Sequence, residues 1–144
     1  MIPLEKIESH LVAEEGEVLH AYTDHLGYLT IGVGRLIDKR RGGGITREES
    51  RYLLRNDITR IAAELRSRFP WFHLLDDVRQ SVLVCMAFQL GVNGVANFKK
   101  MIAALIARDY AAAAREMLDS NWAKVQTPAR AQRMAEMMRT GVWR

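Results

Sequence analysis

Four carboxylates crowd a short stretch near the start of the chain: Glu14, Glu15, Glu17 and Asp24. Two carboxyl groups in unlike surroundings can divide acid and base work, one protonated to supply a leaving oxygen and one ionised to act on water or on the reacting carbon. That division of labour is the chemistry of glycoside hydrolysis. Other chemistries find less support. His20 and His25 lie nearby, but no His-Glu-x-x-His pattern, paired cysteine or calcium loop accompanies them, so neither a metal nor another cofactor is expected. The absence of a Gly-x-Ser-x-Gly elbow leaves a Ser-His-Asp or Cys-His site unsupported without excluding it. Gly42-Gly43-Gly44 lacks the Lys-Ser/Thr ending of a phosphate loop, and Gly32-Val33-Gly34 lacks the spacing of a nucleotide-binding fingerprint. Acidic residues beside a turn are also ordinary solvated surface, and the residues by themselves leave both readings open.

Positioning falls to the elements on either side of these carboxylates. Residues 3–15 read as a helix: Pro3 suits a first helical position, Leu4, Ile7 and Leu11 recur at helical spacing, and Gly16 supplies the stop. Glu14 and Glu15 then fall at the C-terminal end, where the helix dipole opposes each exposed negative charge by ~0.3–1 kcal/mol. A charge pattern that breaks a local rule marks a place to look for function. Residues 18–37 are rich in strand formers (Val18, Tyr22, Tyr28, Thr30, Ile31, Val33, Ile37) with glycines between them, which predicts a small antiparallel sheet. Asp24, followed by a turn through Gly27, belongs to a strand or loop open to water. Residues 38–44, DKRRGGG, form a charged turn that closes this region.

Beyond it, Thr46-Arg-Glu-Glu49 is a capping box that opens a long helix. Leu54, Ile58, Ile61 and Leu65 continue its apolar face as far as Phe69-Pro70, where proline ends it. From Asp77 the pattern is apolar nearly all round, which predicts a buried central helix stopped by Gly91. Further helices are expected over 98–107, over 109–118 with Asp109 as cap, and over 128–139 with Thr127 as cap and Pro128 in the first helical position. The fold class is therefore α+β. Within a single domain over 1–144, a first helix (1–12) is expected to pack on a helical lobe (69–144), with a small β lobe (13–45) and a connecting helix (46–68). A cleft between unequal lobes is the expected binding site.

Composition narrows the partners. A chain of 144 residues is one domain in size, with a core large enough to need no disulfide, and the lone Cys85 inside the apolar run Val82 to Phe88 reads as a small buried hydrophobe. The formal charge of +4 favours a polyanion: nucleic acid, a membrane surface or an acidic polymer. The opening residues lack the apolar stretch of a secretory signal, and no apolar run approaches the ~20 residues that span a bilayer. No membrane anchor is expected, and a cytoplasmic product needs help to reach a substrate beyond the membrane.

Glu14-Glu15-Gly16, Tyr22-Thr23-Asp24 and the run Gly27 to Gly34 together resemble the signature of the phage-type lysozymes, the family of the T-even phage lysozyme. Separated motifs continue the resemblance in the same order: Phe88-Gln89-Leu90-Gly91, Gly94-Val95-Ala96, Ser120-Asn121-Trp122, Thr127-Pro128-Ala129-Arg130, and Arg139 to Trp143. The resemblance implies a lysozyme-like α+β fold and a muramidase acting on bacterial peptidoglycan. It places Glu15 on the family's proton donor, Asp24 on the second catalytic carboxylate, and Thr30 on the threonine that helps to hold the attacking water. The family is regarded as inverting, a chemistry in which the carboxyls stand ~6.5–9.5 Å apart to admit a water. Leu36 and Phe88 match positions lining the sugar site, Gln89 a neighbour facing the catalytic glutamate, and Arg130 the arginine that pairs with that glutamate.

The resemblance also implies an endolysin that acts as a monomer, stored in the host bacterial cytoplasm and released through a holin-dependent membrane lesion, with no nucleic-acid partner. Departures accompany the matches. Arg35 replaces a histidine whose partner aligns with Asp57, so an Arg35 to Asp57 pair is the expectation. The segment from Lys39 to Gly44 is shorter than in the T-even enzyme. Met101 and Glu116 occupy sugar-contact positions with different residue types and take no role, while Trp122 and Trp143 read as core. Two rivals remain: a basic nucleic-acid-binding module resting on Arg60 to Arg68 and Arg130 to Arg139, and a lytic transglycosylase in which the second carboxylate is dispensable.

Overall fold

Pro3 and Gly16 bracket the first helix, α1 (Leu4–Glu15), with Pro3 at the N-cap, one position earlier than its fixed φ suggests. The computed structural model describes residues 1–40 and 42–144. They group into two units, Met1–Tyr52 and Leu53–Arg144, and the boundary between them falls inside the long helix. In the first unit α1 carries no buried residue, and Leu4, Ile7 and Leu11 are all exposed. The strand formers after Gly16 fold into an antiparallel sheet of β1 (Val18–Thr23), β2 (Leu29–Gly32) and β3 (Arg35–Leu36), in the order β1-β2-β3. Its register pairs Tyr22 with Thr30 and Thr30 with Leu36, and shifts between Val18 and Tyr22. Thr30 is thus the central residue of the sheet, and it is buried.

The predicted capping box forms at the start of α2 (Arg47–Arg68): Thr46 N–H donates to Glu49 Oε1 at 3.0 Å, and Glu49 N–H donates to Thr46 Oγ1 at 3.1 Å. Glu49 has a second task. Arg35 at the start of β3 donates from Nη1 to Glu49 Oε2 at 2.5 Å, so the expected Arg35 to Asp57 pair is replaced. Asp57 pairs instead with Arg60, at 3.3 Å and three residues along the same helix, where two side chains meet without any tertiary contact.

Arg35, and behind it the Thr46 backbone and hydroxyl, hold the Glu49 carboxyl at about 2 against its ordinary 4.5. A folded value below the unfolded one adds stability that is complete above the unfolded value and disappears as pH falls through the folded one. Glu49→Gln keeps a capping acceptor and loses only the charge. It should therefore melt below wild type at pH 7, with the gap narrowing from about pH 4.5 downward and closing near pH 2. Equal melting temperatures at pH 7 would remove the ion pair from the stability of this unit.

The second unit is helical. After α2 come a 3-10 turn (Phe72–Leu74), α3 (Asp77–Ala96), α4 (Lys99–Ile106), α5 (Tyr110–Leu118), a π-helical turn (Trp122–Gln126) and α6 (Pro128–Thr140). Asp76 and Asp109 cap α3 and α5 through Arg79 N–H and Ala112 N–H. Val82, Leu83 and Met86 of α3 are fully buried with Phe72, Met101, Met117 and Met138. Burying a side chain of this size contributes about 1.5–3 kcal/mol relative to exposure. Among the described residues no single helix is long and apolar enough to cross a membrane.

Gly91 stops the first helical stretch of α3 as expected, with φ 78° and ψ 162°, and a short second stretch runs on beyond it to Ala96. Two local expectations are corrected. Thr127 holds the N-cap position of α6, its carbonyl accepting from Ala131 N–H at 2.9 Å, but its side chain makes no capping bond: the buried hydroxyl has no partner among the described residues. On α2, Leu54 and Ile58 are exposed, and burial is confined to Ile61 and Leu65.

Arg79 fastens the end of the chain. Its guanidinium donates to Met138 O at 2.6 Å, Arg139 O at 3.0 Å and Asp76 Oδ1 at 2.9 Å, and lies 3.6 Å over the Tyr110 ring. A planar fork of donors suits two adjacent carbonyls at a helix C-terminus, whereas a lysine presents a single point. Gly141 turns left-handed beside it at φ 71°, where a Cβ would stand 3.0 Å from Arg79 Nη1.

Candidate active site

Of the four carboxylates near the chain start, Glu15 and Asp24 are the two that the resemblance places in the reaction, and only that of Asp24 accepts hydrogen bonds among the described residues. Glu15 is the last residue of α1, exposed, and followed at once by Gly16, whose N–H closes the helix on Val12 O at 2.9 Å. Its Oε2 stands 4.0 Å from where a Cβ on Gly34 would lie. The carboxylate of α1 therefore reaches the turn between β2 and β3. That turn takes a left-handed residue at Gly34, φ 72°, which a side chain would strain. Glu14 and Glu17 are exposed too, and like that of Glu15 their carboxylates accept no hydrogen bond among the described residues.

Asp24 closes the turn between β1 and β2. Its Oδ1 accepts from Leu26 N–H at 2.9 Å and Tyr28 N–H at 2.8 Å, while its own N–H donates to Tyr28 O at 2.8 Å. An aspartate tolerates such a turn because its short side chain imitates a backbone acceptor. Both recorded bonds fall on Oδ1, so Oδ2 has no partner among the described residues. Thr30 connects to the same point: its Oγ1 donates to Tyr28 O at 2.9 Å. The Tyr28 backbone thus ties Asp24 to Thr30, and Leu36 lies across the sheet from Thr30.

Sequence reasoning missed Arg40. Its guanidinium lies 3.9 Å over the Tyr28 ring and pairs with Asp38, and it is held in its charged form first by Asp38, with Tyr28 and Asp24 acting in the same direction. The only signal in the sequence was a charged turn.

In the second unit, Gln89 and Arg130 are bonded: Gln89 Oε1 accepts from Arg130 Nη1 at 3.0 Å and from Trp122 Nε1 at 3.0 Å. Trp122 is buried as expected, at 3% exposure, but Trp143 is 60% exposed and is not core. Phe88 is 52% exposed. A cavity of about 560 Å³ is lined by Val84, Cys85, Phe88, Arg130, Met134 and Trp143. Cys85 is corrected likewise: it is exposed, because the apolar run winds one side of α3 out of the core while Val82, Leu83 and Met86 turn inward. Neighbouring groups raise its thiol above the ordinary value by desolvation, with Arg130 acting the other way. Met101 and Glu116, given no role from sequence, meet on a second cavity of about 570 Å³ with Lys100 and Trp122.

Comparison with known proteins gives a consistent result. The phage lysozyme family profile matches residues 12–137. The chain is 31% identical to probable T4-type lysozyme 1 of Dictyostelium discoideum, with 94% of each chain covered, and 28% identical to probable T4-type lysozyme 2 of the same organism, again with 94% of each covered. It is 33% identical to part of the pre-baseplate central spike protein Gp5 of Enterobacteria phage T4, over 89% of this chain and 26% of the spike protein.

Proposed function

The chain belongs to the phage lysozyme family, and on that premise we propose that it is a muramidase hydrolysing the β-1,4 bond between N-acetylmuramic acid and N-acetylglucosamine in bacterial peptidoglycan. The observation that carries this reading is the pairing of roles in the first unit. Glu15 stands at a helix end that opposes negative charge, with its carboxylate at the Gly34 turn, while Asp24 is anchored by two backbone N–H groups through one oxygen only.

In the proposed reaction Glu15 gives its proton to the glycosidic oxygen as the bond from that oxygen to C1 of N-acetylmuramic acid breaks. A water attacks C1 from the opposite face and loses its proton to Asp24 Oδ2. Thr30 has already committed its hydroxyl proton to Tyr28 O, so it can only accept from that water, which turns a water lone pair toward the sugar. The products are a reducing N-acetylmuramic acid end and a free 4-hydroxyl, and the configuration at C1 inverts. Leu36, Phe88 and Gln89 are the proposed sugar contacts. The biological setting proposed is host cell lysis, with the protein reaching the wall through a holin-type lesion, and the net charge of +4 favours approach to an acidic envelope.

Product analysis tests the reaction. Digests of purified peptidoglycan should contain N-acetylmuramic acid ends that borohydride reduces, formed first as the α-anomer. Anhydromuramic ends would replace hydrolysis by transglycosylation, and β-anomers would replace inversion by retention.

A further inference from the structure

Gln89 accepts two hydrogen bonds on one oxygen, and both donors are groups that can never accept. The Trp122 indole and the Arg130 guanidinium carry only N–H, so the side of the Gln89 amide that faces them must be its carbonyl. Of the two, the indole is the fixed one. Trp122 is 3% exposed, meets Phe98 edge-to-face with centroids 6.1 Å apart, and has its carbonyl bonded by Thr127 N–H at 2.9 Å. Arg130 is exposed on the first turn of α6, and its side chain has freedom that the indole lacks. Gln89 itself stands two residues before the α3 break at Gly91. Its Nε2 has no acceptor among the described residues.

We infer that Trp122 is a positioning residue for glycan binding: its indole N–H locks the Gln89 amide with Oε1 toward Arg130, leaving Nε2 to donate to a carbonyl or hydroxyl oxygen of the glycan. The inference rests on the muramidase reading and adds the means by which Gln89 presents a donor rather than an acceptor. With the indole N–H absent, Oε1 is held only by the exposed Arg130, and once that side chain swings away the amide can turn over and present Oε1 to the ligand. The ligand then loses one neutral hydrogen bond.

Trp122→Phe removes the N–H and keeps an aromatic ring against Phe98. With soluble peptidoglycan fragments it should raise KM about five- to tenfold, with kcat within about twofold of wild type. In a Gln89→Met background, which has neither acceptor nor donor, the same substitution should add nothing, because Trp122 acts through Gln89. A purely structural tryptophan would produce the same fold-change in both backgrounds, and that result overturns the inference, as does an unchanged KM in Trp122→Phe. A second measurement is independent of catalysis: the Trp122 indole proton should exchange slowly with solvent in wild type and faster in Gln89→Met, and equal rates also overturn the inference. A wild-type protein that cleaves no peptidoglycan while showing the protected indole would sink the muramidase reading and leave the Trp122 to Gln89 lock in place.

Discussion

Glu15→Gln should lose about 10²–10⁴-fold of the wild-type rate of peptidoglycan clearance, the range associated with removing a general acid. The same substitution should leave the fold intact or slightly more stable. Glu15 ends α1, is exposed, and places negative charge where the aligned carbonyls already do so, an opposition of ~0.3–1 kcal/mol that glutamine removes. A fall in activity with a small rise in melting temperature separates a chemical role from a structural one. Glu14→Gln is the matched control. It sits at the same helix end and should show the same small stabilisation with its activity retained. Clearance by Glu15→Gln at the wild-type rate would remove Glu15 from the reaction.

Asp24 requires a different pair of substitutions, because its carboxylate both builds the turn and is proposed to take a proton. Asn keeps a carbonyl oxygen for the Leu26 and Tyr28 N–H groups and loses the charge, whereas Ala loses both. Asp24→Asn should therefore melt close to wild type with activity reduced about 100-fold. Asp24→Ala should be equally inactive and less stable by about 1 kcal/mol, since water can replace only part of what the two exposed N–H groups lose. Rate assays beside thermal melts read both effects. Full activity in Asp24→Ala would mean that no water is activated at this residue and would favour transglycosylation.

What could be read without coordinates was what depends on near neighbours. The Thr46 to Glu49 box, the Gly16 stop, the Asp109 cap and Pro128 at the start of α6 all involve residues within a turn or two of one another. Thr127 takes the expected cap position without the side-chain bond, and the π turn before it has no composition signal. The Arg79 bracket joins residues 59 and 60 positions apart, and nothing in either segment announces the other. Cys85 and Trp143 show the limit of apolar patterning, since an apolar run tells which residues prefer burial and not which side of a helix finds a neighbour. For the candidate site, spacing alone left the carboxylates undecided between chemistry and surface. Neither spacing nor resemblance revealed that one tyrosine backbone links Asp24 to Thr30, or that the Gln89 carbonyl is shared by an indole and a guanidinium.

Glu49 joins the start of β3 to the first turn of α2 through Arg35 and Thr46, which pinches the intervening segment shut at its base. A loop whose ends are pinned is nearly free to change length, because each doubling adds only about 0.6 kcal/mol of closure entropy. A change of length between β3 and α2 should therefore be tolerated better than a change at Arg35, Thr46 or Glu49, which fix the two ends.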